Sequence, residues 1–191
     1  MTASSHVVVG FDFSRSGRAA LQRAIDLAVR APIHALHFVC VIEPRRPIPA
    51  VPTTTGVDYQ YAERVQHALT VEIEAKLREM ATDSRVSFCV HARIGQPADE
   101  ILAVAREIGA DLIIVGSKPI TMFEHLVLGS VSAKVARDAG CTVEIARTKS
   151  YPDVELATMV EVTPHHSYVP PHRYTYDARG LNPRSNDWPL Y

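Results

Sequence analysis

The chain alternates short apolar runs with longer stretches whose apolar residues recur at helical spacing. Short runs rich in β-branched residues predict strands, because such residues suit a pleated, buried segment. They predict five strands, at residues 7–11, 35–42, 85–93 and 112–115 and from Cys141 to Ala146. Helical spacing predicts four helices, one ending at Pro32 and the others over residues 59–80, 97–109 and about 130–139. Tyr61 is on the apolar face of the second helix, and the third is expected to begin at Pro97 and to have Gly109 as its C-cap. The prolines of residues 43–56 predict a loop.

Strands and helices therefore alternate, and the strands are continuous apolar runs rather than half-polar ones. Such strands are typical of a parallel sheet that is covered on both faces. With right-handed crossovers, this order predicts a doubly wound α/β fold, a five-stranded parallel sheet in a Rossmann-like three-layer sandwich. Ligands of such folds bind outside the carboxyl ends of the strands. The loops that carry Asp12, residues 41–44, Gly95 and residues 116–129 are expected at that edge.

The pattern changes after Arg147. Residues 151–191 hold six of the 13 prolines and six of the 13 aromatic residues, and residues 154–162 are their only strand-like piece. We therefore predict an α/β domain over residues 1–148 and an extended tail over residues 149–191. Because tyrosine and tryptophan are enriched at contact surfaces, the tail is a candidate for binding a partner protein or a neighbouring subunit.

Composition and charge exclude several classes of partner. The 191 residues are 47% hydrophobic and carry a net charge of −1, which suits a sizeable core and leaves no basic footprint for nucleic acid or for an anionic membrane. No signal peptide and no membrane-spanning run is predicted. Cys40, Cys89 and Cys141 lie in or beside apolar runs, without the spacing of metal ligands. They are interpreted as reduced thiols, so the predicted location is cytoplasmic.

The segment between the fourth and fifth strands carries the strongest chemical signal. Gly116 follows the fourth strand, and Gly129, Ser130 and Ser132 stand at the start of the last helix. The first amides of a helix have no partners inside it, and with small residues around them they bind anions such as phosphate. The segment therefore predicts a phosphate site.

Structural explanations of the same residues stay open at this point. Asp12 is equally explained as a cap of the first helix or of its loop, and Gly116 as the residue that permits a tight exit from the strand. Ser130 is equally explained as a helix N-cap.

Neither catalysis nor a resident metal is predicted. The histidines do not have the spacing of zinc ligands, and no Ser/His/Asp arrangement stands beside a strained turn. The first loop has only Gly10 and Gly17, which is no dinucleotide fingerprint. The chain is therefore not predicted to be an enzyme.

Four blocks of residues 7–146 carry a resemblance: VVVGFDFSRSGRAALQRAIDLA, VCVIEP, RIGQPADEIL and GSKPITMFEHLVLGSVSAKVARDAGCTVEIAR. In this order they resemble the universal stress protein family in its single-domain form, here with an atypical proline- and aromatic-rich C-terminal extension. The nucleotide-binding branch of that family carries glycine, two residues, glycine, nine residues, then glycine and serine or threonine. Gly116, Pro119, Gly129 and Ser130 stand at those positions, so a proline replaces the second glycine.

The resemblance implies a regulatory protein that binds ATP or another adenine nucleotide, with Mg²⁺ present only together with the nucleotide. Asp12 is expected beside the adenine or ribose, and the backbone of Val41 against the adenine. The residues expected along the ribose and phosphates are Val115, Gly116, Lys118, Gly129, Ser130, Val131 and Ser132. Because single-domain relatives commonly dimerise through the last strand, the resemblance also implies a homodimer through Cys141 to Ala146.

Pro119 supports an alternative. Proline has no N–H to give a phosphate and its φ is fixed near −65°, whereas glycine can take positive φ and let a ligand approach closely. Glu124 adds a carboxylate nearby, and Lys118 is the only fixed positive charge of this loop. The family also has a branch that binds no nucleotide. The alternative function is an interaction module that acts through dimerisation and through its tail.

Overall fold

The computed structural model describes residues 5–30, 33–53, 56–80, 86–117, 129–148, 174–177 and 180–183. The chain divides into two compact units, residues 1–148 and residues 149–191. Among the described residues, no helix is both long and apolar enough to cross a membrane.

Strands and helices alternate along the first unit. Its strands are β1 (Ser5–Gly10), β2 (Ile33–Ile42), β3 (Phe88–Ile94), β4 (Leu112–Gly116) and β5 (Thr142–Ala146). Its helices are α1 (Arg15–Arg30), α2 (Tyr59–Glu79), α3 (Pro97–Ile108) and α4 (Ser130–Asp138). Every predicted strand and helix of this unit is present, and where both bounds were predicted they shift by at most three residues.

The strands form one parallel sheet in the order β3-β2-β1-β4-β5. The chain therefore starts in the middle, runs outward through β2 to β3, and crosses back to β4 and β5. This confirms the predicted doubly wound α/β fold. The strand order reverses between β1 and β4, so the crevice beyond their carboxyl ends is where such folds bind ligands.

Both faces of the sheet are buried, which explains the continuous apolar runs. Val7 and Val9 of β1 pack in one cluster with Leu21 of α1. Val8, between them, packs in a second cluster with Ile101 of α3. Because successive side chains of a strand point to opposite faces, a strand between two helical layers needs apolar residues at every position.

Local rules set several helix ends. Asp58 caps α2 by accepting a hydrogen bond from the Tyr61 amide at 2.7 Å. Pro97 is the first residue of α3, as predicted, where a missing N–H costs nothing. Gly109 ends the same helix in the left-handed conformation, with φ of 62°, which is the predicted C-cap role.

The second unit contains two short strands, β6 (Tyr174–Asp177) and β7 (Gly180–Pro183), which pair antiparallel. Sequence analysis did not predict this pair, because its few apolar residues do not alternate over enough positions to indicate a strand. The strand-like piece that was predicted, residues 154–162, lies outside the described residues.

Candidate functional site

The loop between β1 and α1 is organised around Asp12. Its Oδ1 accepts hydrogen bonds from the Ser14 amide at 3.1 Å and from the Ser14 hydroxyl at 2.5 Å. The Ser14 Oγ accepts a bond from the Gly17 amide at 3.1 Å, which makes Ser14 the residue that caps α1. Asp12 therefore caps the loop rather than the helix, and it holds the capping hydroxyl in place.

Phe13 lies between these two residues in a left-handed conformation, with φ of 60°. For a residue with a Cβ this conformation costs about 1–2 kcal/mol. The ring packs edge-on against Phe11, with centroids 4.9 Å apart, which helps to hold the strained backbone. Strained backbone of this kind is concentrated at functional sites, and no sequence pattern indicated it here.

Gly116, at the end of β4, lies directly against the first turn of α1. A Cβ at this position would be 2.2 Å from the Ser16 carbonyl oxygen and 2.4 Å from its carbonyl carbon. Only glycine fits such a backbone-to-backbone contact. The structure adds this packing requirement to the interpretation of Gly116 as the residue that permits a tight exit from the strand.

Helix α4 begins at Ser130, so its N-cap is Gly129. The interpretation of Ser130 as the N-cap was therefore wrong by one residue. Gly129 has no side chain and makes no side-chain capping bond, while the Ser132 hydroxyl donates to the Gly129 carbonyl at 3.0 Å. The first amides of α4 are thus left without a cap from Gly129, and they can serve an external anion.

These segments surround one cavity of about 510 Å³ at the carboxyl edge of the sheet. Eight of the predicted site residues line it: Asp12, Val41, Val115, Gly116, Gly129, Ser130, Val131 and Ser132. The ninth, Lys118, lies outside the described residues, as do Pro119 and Glu124. The structure therefore brings residues from three strand ends and three helix starts to a single concave surface.

Two parts of the lining were not among the predicted site residues. One is the start of α3, with Pro97 and Ile101, and the other is the proline-rich segment after β2, with Glu43, Arg46, Pro47, Ile48 and Pro49. Of these residues, Glu43 alone belongs to a loop that was expected at this edge. The prolines marked that segment as a loop, but nothing in the sequence indicated that it folds back over the site.

The charges of the described lining residues are mixed. Arg46 is their single fixed cation, and its Nη1 lies 3.7 Å from Oε1 of Glu43. Asp12 adds a second carboxylate. Lys134, one turn into α4, forms an ion pair with Asp99 of α3. Anion binding among the described residues would therefore depend chiefly on the amides at the start of α4 and on Arg46.

The thiol of Cys40, which stands between the cavity residues Val39 and Val41 in the chain, is not a nucleophile. Burial, and secondarily the charge of Asp12, raise the pKa of Cys40 to about 12. The thiol stays protonated at neutral pH, and it is the thiolate that reacts. Within the described ranges, no group of three or more His, Cys, Asp or Glu side chains could hold a metal ion.

Comparison with known proteins agrees with this architecture. The family model described as "Universal stress protein family" matches residues 4–147. The stress response protein NhaX of Bacillus subtilis is 30% identical over 77% of this chain and 100% of its own length. The universal stress protein YxiE of the same organism is 31% identical over 74% of this chain and 97% of its own length.

Solved structures give the same result. A universal stress protein crystallised in complex with cAMP is 25% identical, with a TM-score of 0.57 over 78% of this chain and 100% of that chain. Fold and sequence thus agree over residues 4–147, and the chain belongs to the universal stress protein family.

Proposed function

We propose that this protein is a regulatory, non-catalytic protein that binds an adenine nucleotide in the cavity at the carboxyl edge of its sheet. The observation that carries the proposal is the start of α4, whose first amides have no side-chain cap from Gly129 and open onto the same cavity as Asp12 and Val41. The relative crystallised with cAMP supports an adenine nucleotide as the class of ligand.

The order of the strands supports a proposed orientation of the ligand. Val41 lies at the end of β2 and α4 follows β4, with β1 between them. Neighbouring strands are about 4.8 Å apart, so the ends of β2 and β4 are separated by about 10 Å. We place the adenine against Val41, the ribose near Asp12 and Gly116, and the phosphate at residues 129–132. Mg²⁺ would enter only with the phosphates.

The direct test is calorimetric titration of ATP, ADP and AMP, each with Mg²⁺, into the purified full-length chain. Saturable heat with one site per chain is expected for at least one nucleotide. No heat at millimolar ligand, together with no nucleotide released from the purified protein by heat denaturation, would refute the proposal.

We also propose a homodimer through β5. This strand is at one edge of the sheet, and its one partner among the described strands is β4. An exposed strand edge must be paired or protected, and a second copy provides both. Sedimentation equilibrium should give twice the mass of one chain, whereas a monomer at tens of micromolar would contradict the dimer.

The tail, residues 149–191, is proposed to contact a partner, which is the alternative to a nucleotide-dependent function. Two observations support a contact role for the tail: residues 149–191 form a compact unit, and this unit contains the antiparallel strand pair β6 and β7. Removal of residues 151–191 should change partner binding or oligomeric state and leave the heat of nucleotide binding unchanged.

We further infer a cytoplasmic location, because Cys40, Cys89 and Cys141 are all free thiols.

A further inference from the structure

The proline-rich segment after β2 is a loop that behaves as part of the core. Ile48 and Val51 are 7% and 8% exposed and belong to the main apolar cluster. Buried backbone amides and carbonyls need hydrogen-bond partners, and this segment has few of its own. The Val51 amide bonds the Ile48 carbonyl at 2.9 Å and the Arg46 amide bonds the Glu43 carbonyl at 3.0 Å.

The missing partner is the hydroxyl of Tyr61, whose side chain is completely buried. The hydroxyl accepts a hydrogen bond from the Ile48 amide at 2.7 Å and donates one to the Val51 carbonyl at 2.7 Å. The Ile48 carbonyl lies 3.4 Å away as a second acceptor. One side-chain atom thus ties both ends of the turn at residues 48–51 to α2.

Tyr61 is itself held firmly at the start of α2. Its amide donates to Asp58, the N-cap, at 2.7 Å. The Arg64 guanidinium lies over its ring, 5.3 Å from the centroid, and also donates to the Thr53 hydroxyl at 3.2 Å. The Tyr61 side chain is therefore held rigidly, and it fixes the position of the turn at residues 48–51.

The other side of the held segment is a wall of the cavity, formed by Arg46, Pro47, Ile48 and Pro49. This wall belongs to the segment that follows β2, whereas α4 follows β4, on the other side of β1 in the sheet order. Proline rings and an isoleucine offer a flat apolar surface, with a guanidinium at its edge. A planar base fits such a surface, and a guanidinium stacks well on aromatic faces.

We propose that Tyr61 is the positioning residue of this cavity: its hydroxyl holds in place the wall at residues 46–49, against which the purine base binds. This inference rests on the proposed nucleotide site. Tyr61 does not line the cavity, and it acts on the ligand only through the wall.

The test is Tyr61→Phe, which keeps the ring and removes the hydroxyl, compared with Ile73→Val, a buried change twelve residues further along the same helix. Hydrogen exchange at the Ile48 amide and calorimetry with AMP and with Mg²⁺-ATP are measured on both. Loss of a hydrogen bond of about 1 kcal/mol corresponds to roughly fivefold. Tyr61→Phe should speed exchange at Ile48 and raise Kd at least fivefold, and Ile73→Val should change neither.

The outcomes separate the two proposals. If wild-type protein binds nucleotide but Tyr61→Phe leaves Kd and Ile48 exchange unchanged, the inference about Tyr61 is overturned and the site stands. Equal weakening by Ile73→Val would also overturn it, because the effect would then follow stability alone. If wild-type protein binds neither nucleotide, the proposed function fails and Tyr61 loses its role in nucleotide binding, while faster exchange in Tyr61→Phe would still show that it anchors the segment.

Discussion

The α-carbon of Gly116 contacts the backbone of Ser16 so closely that a Cβ on Gly116 would be 2.2 Å from the Ser16 carbonyl oxygen. The end of β4 and the first turn of α1 therefore pack backbone against backbone. Ser16, Gly17 and Gly116 also line the cavity, so this contact sets the distance between two of its sides. The same glycine serves packing and leaves room for a ligand.

Gly116→Ala is expected to destabilise the fold. Because the Cβ would meet backbone atoms rather than a flexible side chain, the structure must shift, and overpacking of this kind costs about 1–3 kcal/mol. Urea denaturation monitored by circular dichroism measures the free energy of unfolding. Gly140→Ala is the matched control, since a Cβ there meets nothing within 4 Å. Equal stability of Gly116→Ala and wild type would contradict the contact.

Two substitutions at Asp12 separate its loop-capping role from a role in binding. Asp12→Asn keeps an oxygen that can accept from Ser14, whereas Asp12→Ala removes it. Asp12→Ala should therefore lower the free energy of unfolding by about 1 kcal/mol, while Asp12→Asn stays close to wild type. If the carboxylate accepts from a ribose hydroxyl, Asp12→Asn should still raise the nucleotide Kd about tenfold.

Thermal or urea denaturation and calorimetry on the same two variants give the answer. Normal affinity in Asp12→Asn would show that the carboxylate serves the loop alone. A large loss of stability in Asp12→Asn would mean that charge, and not acceptor geometry, holds Ser14.

The loss of folding stability at acid pH is expected to depend on His91. Burial, and secondarily the charge of Arg93, lower the pKa of His91 below its ordinary value, with Glu107 opposing the shift. Nδ1 of His37, on the neighbouring strand, lies 3.1 Å from its Nε2. As pH falls below about 6.5, the unfolded chain binds a proton at this position before the folded chain does. Stability is therefore full above that pH and falls as pH drops toward the folded pKa.

His91→Gln should remove this contribution, because glutamine does not titrate and still offers an amide to His37. Urea denaturation at pH 7.5 and pH 5.5 gives the difference in unfolding free energy for each protein. The difference should be smaller in His91→Gln than in wild type. An identical difference in both would show that the lowered pKa of His91 has no effect on folding.

A feature of the fold or of the site could be predicted from the sequence when the residues that determine it are close together in the chain. Pro97 and Gly109 were predicted correctly, since a proline at the first helical position and a glycine at the C-cap obey rules within one turn of helix. The sheet followed from the continuous apolar runs, because both faces of β1, β2 and β4 are covered. The fold class also placed the loops at one edge, whereas the full set of nine site residues came from the family resemblance, and eight of them line the cavity.

Features that depend on contacts between distant residues were not predictable. Tyr61 looked like one more apolar position of α2, and only the fold brings its hydroxyl to Ile48. The proline-rich segment was correctly taken as a loop, but its return over the cavity has no local signal. Likewise, the left-handed Phe13 goes against its own conformational preference, so sequence rules argue against it.

The start of α4 gives the sharpest test of the proposed site, because the same substitution should affect stability and binding in opposite directions. Gly129→Asp places a carboxylate at the N-cap, where it can accept from the first amides of α4, and the φ of −57° at this residue suits a side chain. A cap better than glycine adds a few tenths of a kcal/mol, so the free energy of unfolding should rise slightly. The same carboxylate would occupy the amides proposed for phosphate and would repel the phosphate, so the nucleotide Kd should rise at least tenfold.

Gly129→Asn is the matched control, since it caps without charge and should weaken binding less. Denaturation and calorimetry on the three proteins decide the matter: undiminished affinity in Gly129→Asp would mean that no phosphate binds at the start of α4.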